Sequence, residues 1–498
     1  MDKVVIEKSP LNGSVLLPPS KSCMHRALIC AALSHGHSTV APIILSDDII
    51  RTLNAVTALG AKAVLKKYEA AAPYGTAWAS DGGRLYGGGC ETGARKQSPA
   101  FSGDMQPDSL SKSMSALAVG GKSAAGTVSS GGSADACGKA ANSDFDSLLC
   151  ADITGINIPA ESADIDCGES GSTLRFMMPV AAALGVSTRF TGCGKLPQRP
   201  LDVFTDTLPS HGAALSGGSL PLSISGRLTA GEYVIDGSIS SQFITGLLLS
   251  LPLLDGDSRI KLSSPLQSSS YVDITLDVLD GFGIHIEKTP DGYFVPGKQK
   301  YAACSYTVES DWSHSAFFIE SAMISGEICM KGLKESSVQG DSAVLDIARR
   351  MGCGIAFEGG VLVCRHAHLH GTVIDASDIP DLIPALAAAA AMADGQTRIV
   401  NAGRLRIKEC DRLSAMANGL TALGADVIEG PDSLTITGGK KLHSGHVNGY
   451  NDHRIVMAFA ALGSHIGGVE ISDAGAVKKS YPNFFEDFKA LGGKYNVI

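Results

Sequence analysis

Six stretches of this chain carry a helical pattern that stops on a glycine: "TLNAVTALG", "VFTDTLPSHG", "ITLDVLDGFG", "VLDIARRMG", "SAMANGLTALG" and "NFFEDFKALG". The glycines are Gly60, Gly212, Gly283, Gly352, Gly424 and Gly492, each placed as a helix C-cap. Neighbours lie 152, 71, 69, 72 and 68 residues apart, so a unit of about 70 residues recurs and one interval is stretched. Before each capped helix runs a second, more apolar one: "KSCMHRALICAAL", "GSTLRFMMPVAAALG", "SSQFITGLLLSLPLL", "DWSHSAFFIESAMISG", "IPDLIPALAAAAAMADG" and "NDHRIVMAFAALG". Strand-like runs such as "TRIV" and "GVEI" follow these. A period this long exceeds that of solenoid repeats. We therefore expect an α/β chain whose six mixed units close into compact domains, three to a domain.

The long interval separates Gly60 from Gly212. From Gly75 to Cys150, Gly, Ser and Ala supply about half the residues and apolar periodicity disappears. We expect a disordered or loosely ordered insertion at about 70–160, with a small folded subdomain as the alternative. Such a composition buries too little apolar surface to offset an ordering entropy of roughly 1–2 kcal/mol per residue. Trypsin is expected to cut there first, at Arg84, Arg95, Lys96, Lys112 or Lys122. Within it, "GGGCETGARK" and "GGKSAAG" fail to complete G-x-x-x-x-G-K-[ST] and lack a flanking strand and helix, so neither reads as a phosphate loop.

The first apolar helix raises a question of charge. Lys21, Ser22, His25 and Arg26 crowd its opening turn, where the helix dipole already favours negative groups. A bound anion resolves the mismatch. Polar residues recur at the same phase: Gly171, Ser172 and Arg175, then Arg199; Ser240, Ser241 and Gln242, then Ser268 and Tyr271; Asp311; Asp381, then Arg404, Lys408, Glu409 and Arg412; Asp452, His453 and Arg454, then Lys479. Each has a plainer reading alone: a surface ion pair for Arg26 or Arg175, an N-cap for "NDHR", a charged helix turn for "KECDR". Recurrence favours convergence of the helix starts on one cleft. That cleft suits ligands with several anionic groups, with carboxylates for proton transfer.

Net charge is −9, so any attraction for anions is local, and nothing global favours nucleic acid or a membrane surface. The N-terminus lacks the apolar core of a signal peptide, and no apolar run is long enough to span a bilayer. Twelve cysteines without a CxxC pair read as reduced thiols, and we expect a cytoplasmic protein. His366, His368 and His370 in "RHAHLH" have metal-like spacing but no carboxylate or Cys cluster beside them; we read them as an exposed strand face.

With these residues assembled, "LPPSKSCMHRALICAAL", "CGESGSTLRF", "LPQRPLDV", "SSQFITGLLLSLPLL", "YVDITLDVLDGFG", "IPDLIPALA", "RIKECDRL", "NDHRIVMAFA" and "KKSYPNFFEDF" resemble the successive signatures of the 5-enolpyruvylshikimate-3-phosphate (EPSP) synthase family. They occur in family order and cover the chain except for the insertion. The resemblance implies two similar domains, each three copies of a βαβαββ unit, with the active site in the cleft between them. One domain would comprise 1–18 and 309–498, the other 19–308. It implies transfer of the enolpyruvyl group of phosphoenolpyruvate (PEP) to the 5-hydroxyl of shikimate 3-phosphate.

By the same resemblance, shikimate 3-phosphate would meet Lys21, Ser22, Arg26, Ser240, Ser241, Gln242, Ser268, Tyr271, Asp381, Arg404 and Lys408. PEP would meet Lys21, Gly171, Arg175, Arg199, Gln242, Arg412, Arg454 and Lys479. Asp381 would help deprotonate the hydroxyl, Glu409 would protonate the PEP methylene, and Lys21 would complete the catalytic set. No metal or cofactor is implied, and we expect a monomer acting on these two small molecules. Glyphosate competes with PEP in this family, and Gly171 leaves room beside the PEP site. Departures from the family pattern are Phe176 where one branch has Pro, Arg404 where some members have Asn, Glu169 where many have Asn, and His25 where Asn is frequent. The alternatives are the enolpyruvyl transferase that uses UDP-N-acetylglucosamine, which typically has a Lys-Asn pair where this chain has Lys21-Ser22, and a non-catalytic anion-binding relative.

Overall fold

A computed structural model describes residues 2–68 and 148–498. Among them the strands form six four-stranded sheets, all with one pairing pattern: a parallel pair, then two antiparallel neighbours. In the sheet of Ser162–Asp166, Ser187–Thr191, Leu222–Gly226 and Ala213–Leu215, the parallel pair is joined by the helix Gly171–Leu184. In four of the six sheets the long crossover that a parallel pair requires is an apolar helix: Gly171–Leu184, Ser241–Ser250, Ile383–Met392 or His453–Ile466.

Three sheets are completed from far along the chain. Ser305–Thr307 adds to His37–Ile43 in parallel, Gly13–Leu16 adds to Glu327–Lys331 in parallel, and Lys3–Glu7 enters between Val469–Ser472 and Lys494–Val497. The buried side chains accordingly form two cores. One draws on Val4 to Leu17 and Trp312 to Leu491, the other on Cys23 to Val308.

The apolar helices fill these cores. Every residue of Trp312–Ile324 is buried, as is every residue of Lys21–Leu33 from Cys23 onward, the all-round burial of a helix with no solvent face. The six capping glycines all have positive φ, from +75° at Gly283 to +116° at Gly60, a conformation that costs glycine least. Gly246 has a different task. A Cβ there would stand 2.3 Å from the Arg175 carbonyl, so its absence lets Ser241–Ser250 press against the backbone of Gly171–Leu184.

Most of the expected insertion lies outside the described residues, as do the trypsin sites named above. Its far boundary differs from the expectation. Leu149–Thr154 is a strand paired with both Lys62–Lys67 and His37–Ile43, so the sheet resumes well before residue 160. Ala151 and Ile153 are buried while Asp152 and Thr154 are only partly so. That short alternation is masked by the Gly/Ser/Ala-rich composition next to it. Tyr68 N–H donates to the Leu148 carbonyl (3.0 Å), so the chain leaves and re-enters the sheet at hydrogen-bonded neighbours. The "RHAHLH" reading also changes. The strand Val361–Arg365 ends before His366, whose Nδ1 lies 2.8 Å from the Met323 carbonyl oxygen, while His368 faces Asp394 at 3.1 Å. No cluster of metal-ligating side chains occurs among the described residues.

Candidate active site

Helix starts from both cores meet at one cleft. Ser20, Ser170, Ser240 and Asp452 cap four of these helices through their side-chain oxygens. None of the four has an acidic residue in its first turn, and two of these starts meet a carboxylate from outside it: Asp452 as a cap, and Asp311 on the Lys21 N–H. The lining holds eight Lys or Arg (Lys21, Arg26, Arg175, Arg199, Arg404, Lys408, Arg412, Arg454) against three carboxylates (Asp48, Asp381, Glu409). A partly enclosed cleft with that excess is built to take anions.

The residues named from the sequence fall as follows. Lys21, Ser22, Arg26, Gly171, Ser172, Arg175, Arg199, Ser240, Ser241, Gln242, Ser268 and Tyr271 line the cleft on one side; Asp381, Arg404, Lys408, Glu409, Arg412, His453 and Arg454 line it on the other. Asp311 does not. It caps Trp312–Ile324 and accepts the Lys21 N–H at 2.9 Å, tying two helix starts together. Lys479 is also absent from the lining. Its ammonium pairs with Glu169 at 2.8 Å and donates to the Asn451 carbonyl at 2.7 Å.

At the first wall, Arg175 is 2% exposed and donates to Gln242 Oε1 (2.8 Å) and the Pro200 carbonyl (3.0 Å). Gln242 in turn donates to Ser172 Oγ at 3.0 Å. Burial, and after it the neighbouring Arg199, oppose the Arg175 charge. A Cβ on Gly171 would stand 2.7 Å from Arg199 Nη1 and 2.9 Å from Arg175 Nη1, so the two guanidiniums flank that backbone. Neither guanidinium forms an ion pair with a carboxylate among the described residues, and Glu409 acts on both only from further off, so the space beside them suits an anion. Arg26 is spent on the protein: it donates to Thr275, Thr245 and the carbonyls of Ser22 and Tyr271, with its guanidinium 5.1 Å above the Phe176 ring. Lys21 Nζ pairs with Asp48 at 3.0 Å.

At the other wall, Asp381 is the hub. It receives Arg412 at 2.8 Å, Arg454 at 3.0 Å and the Tyr271 hydroxyl at 2.9 Å, with Lys408 at 3.8 Å. Burial alone would raise this carboxyl, but Arg454, Lys408 and Arg412 outweigh it and hold it well below the usual carboxylate range. Glu409 lies 2.7 Å from Arg412 and is likewise held low, by Arg412 and Arg199 against burial. Burial brings the Lys408 ammonium down to about 8. Arg412 also reaches Asp452 at 2.7 Å, so its guanidinium is shared among three carboxylates. Behind Tyr271, Asp341 sits 3.2 Å from the same hydroxyl, and burial raises its carboxyl to about 7. Arg404 crosses the cleft to donate to Ser268 Oγ at 2.7 Å.

Asp48, Pro200, Ile239 and Ile407 line the cleft without having been singled out by the sequence. Asp48 sits in the first turn of Asp47–Ala58, where an acidic residue needs no further reason; nothing local announces Lys21, 27 positions earlier, as its partner. His453 belongs to a helix start, and its sequence context points to no role. Burial, then Lys21 and Arg454, keep its imidazole neutral, and neither ring nitrogen has a hydrogen-bond partner among the described residues. His25 packs as a buried neutral ring against Thr52, at 2.7 Å.

Residues 5–76 and 146–488 match the family model described as EPSP synthase (3-phosphoshikimate 1-carboxyvinyltransferase). The chain is 37% identical to the 3-phosphoshikimate 1-carboxyvinyltransferase of Clostridium novyi, over 99% of this chain and 98% of that one. It is 39% identical to that of Clostridium acetobutylicum, over the same shares. Among solved structures it resembles the EPSP synthase of Acinetobacter baumannii, with a TM-score of 0.71 at 21% identity over the whole of both chains. It also resembles the enolpyruvyl transferase NikO of Streptomyces tendae, with a TM-score of 0.66 at 14% identity over 99% and 98%. The two structural likenesses speak to the fold.

Proposed function

From the fact that this chain belongs to the EPSP synthase family, we infer that it transfers the enolpyruvyl group of PEP to the 5-hydroxyl of shikimate 3-phosphate, releasing inorganic phosphate. The observation that carries this reading is the cleft itself, where eight cations from both cores surround two carboxylates, Asp381 and Glu409, that share one arginine. Two phosphates and a carboxylate must leave water together, which only a cluster of cations permits. The two cores and six like-paired sheets support a division into two domains of three βαβαββ units, 1–18 with 309–498 and 19–308, meeting at the cleft.

The roles are those the family likeness implies for these positions. Ser240, Ser241, Ser268 and Arg404 hold the shikimate phosphate, while Ser22, Arg26, Tyr271 and Lys408 contact the rest of that substrate. Lys21, Gly171, Arg175, Arg199 and Gln242 take the PEP phosphate, and Arg412 and Arg454 face its carboxylate. Asp381, ionised by its three cations, accepts the proton of the 5-hydroxyl as the oxygen attacks C2 of PEP. Glu409 delivers a proton to the methylene carbon, giving a methyl group and a tetrahedral ketal. Reversal at the methyl group returns that proton and expels phosphate, which leaves with the proton of the alcohol. Before PEP binds, Arg412 holds Glu409 ionised. Bound PEP brings negative charge against the same arginines and raises the carboxyl toward the protonated state the step needs.

Action as a monomer is part of this proposal. Phosphorylated substrates of this kind support a cytoplasmic location. The test is phosphate release from PEP with and without shikimate 3-phosphate. Release that depends on both sustains the reading; release with UDP-N-acetylglucosamine instead, or none, overturns it.

A further inference from the structure

Asp341 is a buried carboxyl that the chemistry above leaves unused. It is 6% exposed, lies outside the cleft lining, and belongs to the run Gln339-Gly340-Asp341 that opens the turn Gly340–Ala343. Each residue of that run has a visible task. Gln339 is buried and anchors the turn, donating to the Ser310 carbonyl at 2.9 Å and accepting the Trp312 N–H at 3.3 Å. Gly340 makes room for Ser270, with which an added Cβ would collide. Asp341 is thereby brought against the next residue, Tyr271. Its Oδ2 stands 3.2 Å from the phenol oxygen, and its Oδ1 is buried without a hydrogen-bond partner among the described residues. The contact joins the two cores: Tyr271 packs against that of Cys23 to Val308, and Asp341 adjoins Ala343 and Val344 of the other.

Tyr271 has one hydroxyl hydrogen and two carboxyl neighbours, Asp381 at 2.9 Å and Asp341 at 3.2 Å. Asp381 is ionised by Arg412, Arg454 and Lys408, and it takes that hydrogen at the shorter distance. The hydrogen between Asp341 and the phenol oxygen must then come from Asp341. Its surroundings favour the neutral form. The groups that act on it most strongly are Asp381 ahead of Ile383–Met392, Arg454 in His453–Ile466, Asp311 at the start of Trp312–Ile324, and Tyr271 in Ser269–Gly281. Two of these are carboxylates, and Arg454, the cation, is paired with Asp381 at 3.0 Å. Burial, with Asp381 beside it, raises the Asp341 carboxyl to about 7. A carboxyl kept neutral in this way serves as a hydrogen-bond donor.

We propose that Asp341 is a positioning residue: as the neutral acid it donates to the Tyr271 oxygen, so that the single Tyr271 hydrogen is turned into the cleft, toward Asp381. The inference rests on the reaction proposed above, in which Asp381 is the base and Tyr271 contacts shikimate 3-phosphate. The donated bond also polarises the phenol and strengthens its own donation. An ionised Asp341 would instead compete for the Tyr271 hydrogen and draw it out of the cleft.

Infrared difference spectroscopy on the full chain reads the proton directly. At about pH 6 solvated carboxyls are ionised. The wild type minus Asp341→Asn should then show the C=O stretching band of a protonated carboxyl, shifted in D2O; the lack of such a band overturns the proposal. Kinetics reads the positioning. Asp341→Leu keeps the size and removes the donor, and should lower kcat/KM for shikimate 3-phosphate about tenfold with KM for PEP changed less than about twofold. Asp341→Asn restores an N–H donor and should recover most of that loss. In a Tyr271→Phe background, Asp341→Leu should add nothing. No loss in Asp341→Leu, no recovery in Asp341→Asn, or losses that multiply with those of Tyr271→Phe each overturn the assignment. The band needs no turnover, so absence of phosphate release by the wild type would strike the proposed reaction and leave the spectrum to judge Asp341.

Discussion

Arg412 stands between Asp381 and Glu409, 2.8 Å from one carboxylate and 2.7 Å from the other, and it is 1% exposed. A third carboxylate, Asp452, completes its surroundings at 2.7 Å. One buried guanidinium thus couples the group proposed as base to the group proposed as acid. Removing one partner of a buried ion pair costs about 3–5 kcal/mol, because the remaining charges lose their compensation. Arg412→Met should therefore lower stability by about that amount, in addition to abolishing turnover. Urea unfolding measures it, and a midpoint matching the wild type would mean that Arg412 does not hold the carboxylates together.

Glu409→Gln separates shape from proton. The amide still offers Arg412 an oxygen but cannot deliver a proton to carbon. Turnover should fall at least about 10²-fold while the dissociation constant for shikimate 3-phosphate stays within about threefold. Calorimetric titration together with phosphate release measures both, and near-normal turnover would remove Glu409 from the role of acid.

Lys408 supplies a pH signature. Burial lowers its ammonium to about 8, so in the free enzyme it is charged below that pH and loses its charge as pH rises through it. An anionic substrate prefers the charged form. The value of kcat/KM for shikimate 3-phosphate should hold on the acid side of 8 and decline on the alkaline side. Lys408→Arg keeps the charge and should move that decline to higher pH. An unchanged alkaline limb in the variant would assign it to another group.

The features legible in the sequence were those with a local cause. Apolar spacing marked the buried helices, Gly60 and Gly492 marked the ends of others, and the cations of Lys21 and Arg26 stood out because a helix start disfavours them. The features that escaped it are set by distance along the chain. Asp381 and Arg412 are 31 residues apart, Lys21 and Asp48 are 27 apart, and Glu169 and Lys479 are 310 apart; no periodicity connects them. The same holds for Ser305–Thr307, whose place beside His37–Ile43 is decided by an open sheet edge. Leu149–Thr154 was hidden differently, as six residues of strand pattern next to a long stretch of Gly, Ser and Ala.

Gly171 sets the last expectation. A Cβ there would sit 2.7 Å from Arg199 Nη1 and 2.9 Å from Arg175 Nη1, closer than van der Waals contact allows, so a guanidinium must move. Arg175 is fixed by Gln242 and the Pro200 carbonyl, whereas Arg199 makes no side-chain hydrogen bond to the described residues. Arg199 is the one that yields. Its displacement costs the fold little, and alanine suits a helix start better than glycine, so Gly171→Ala should leave the melting temperature within a few degrees of the wild type. The cost falls on the anion that Arg199 faces. KM for PEP should rise about tenfold and the inhibition constant for glyphosate, its competitor, should rise at least as much, with KM for shikimate 3-phosphate little changed. If both PEP and glyphosate bind the variant as they bind the wild type, the guanidiniums beside Gly171 do not form the PEP phosphate site.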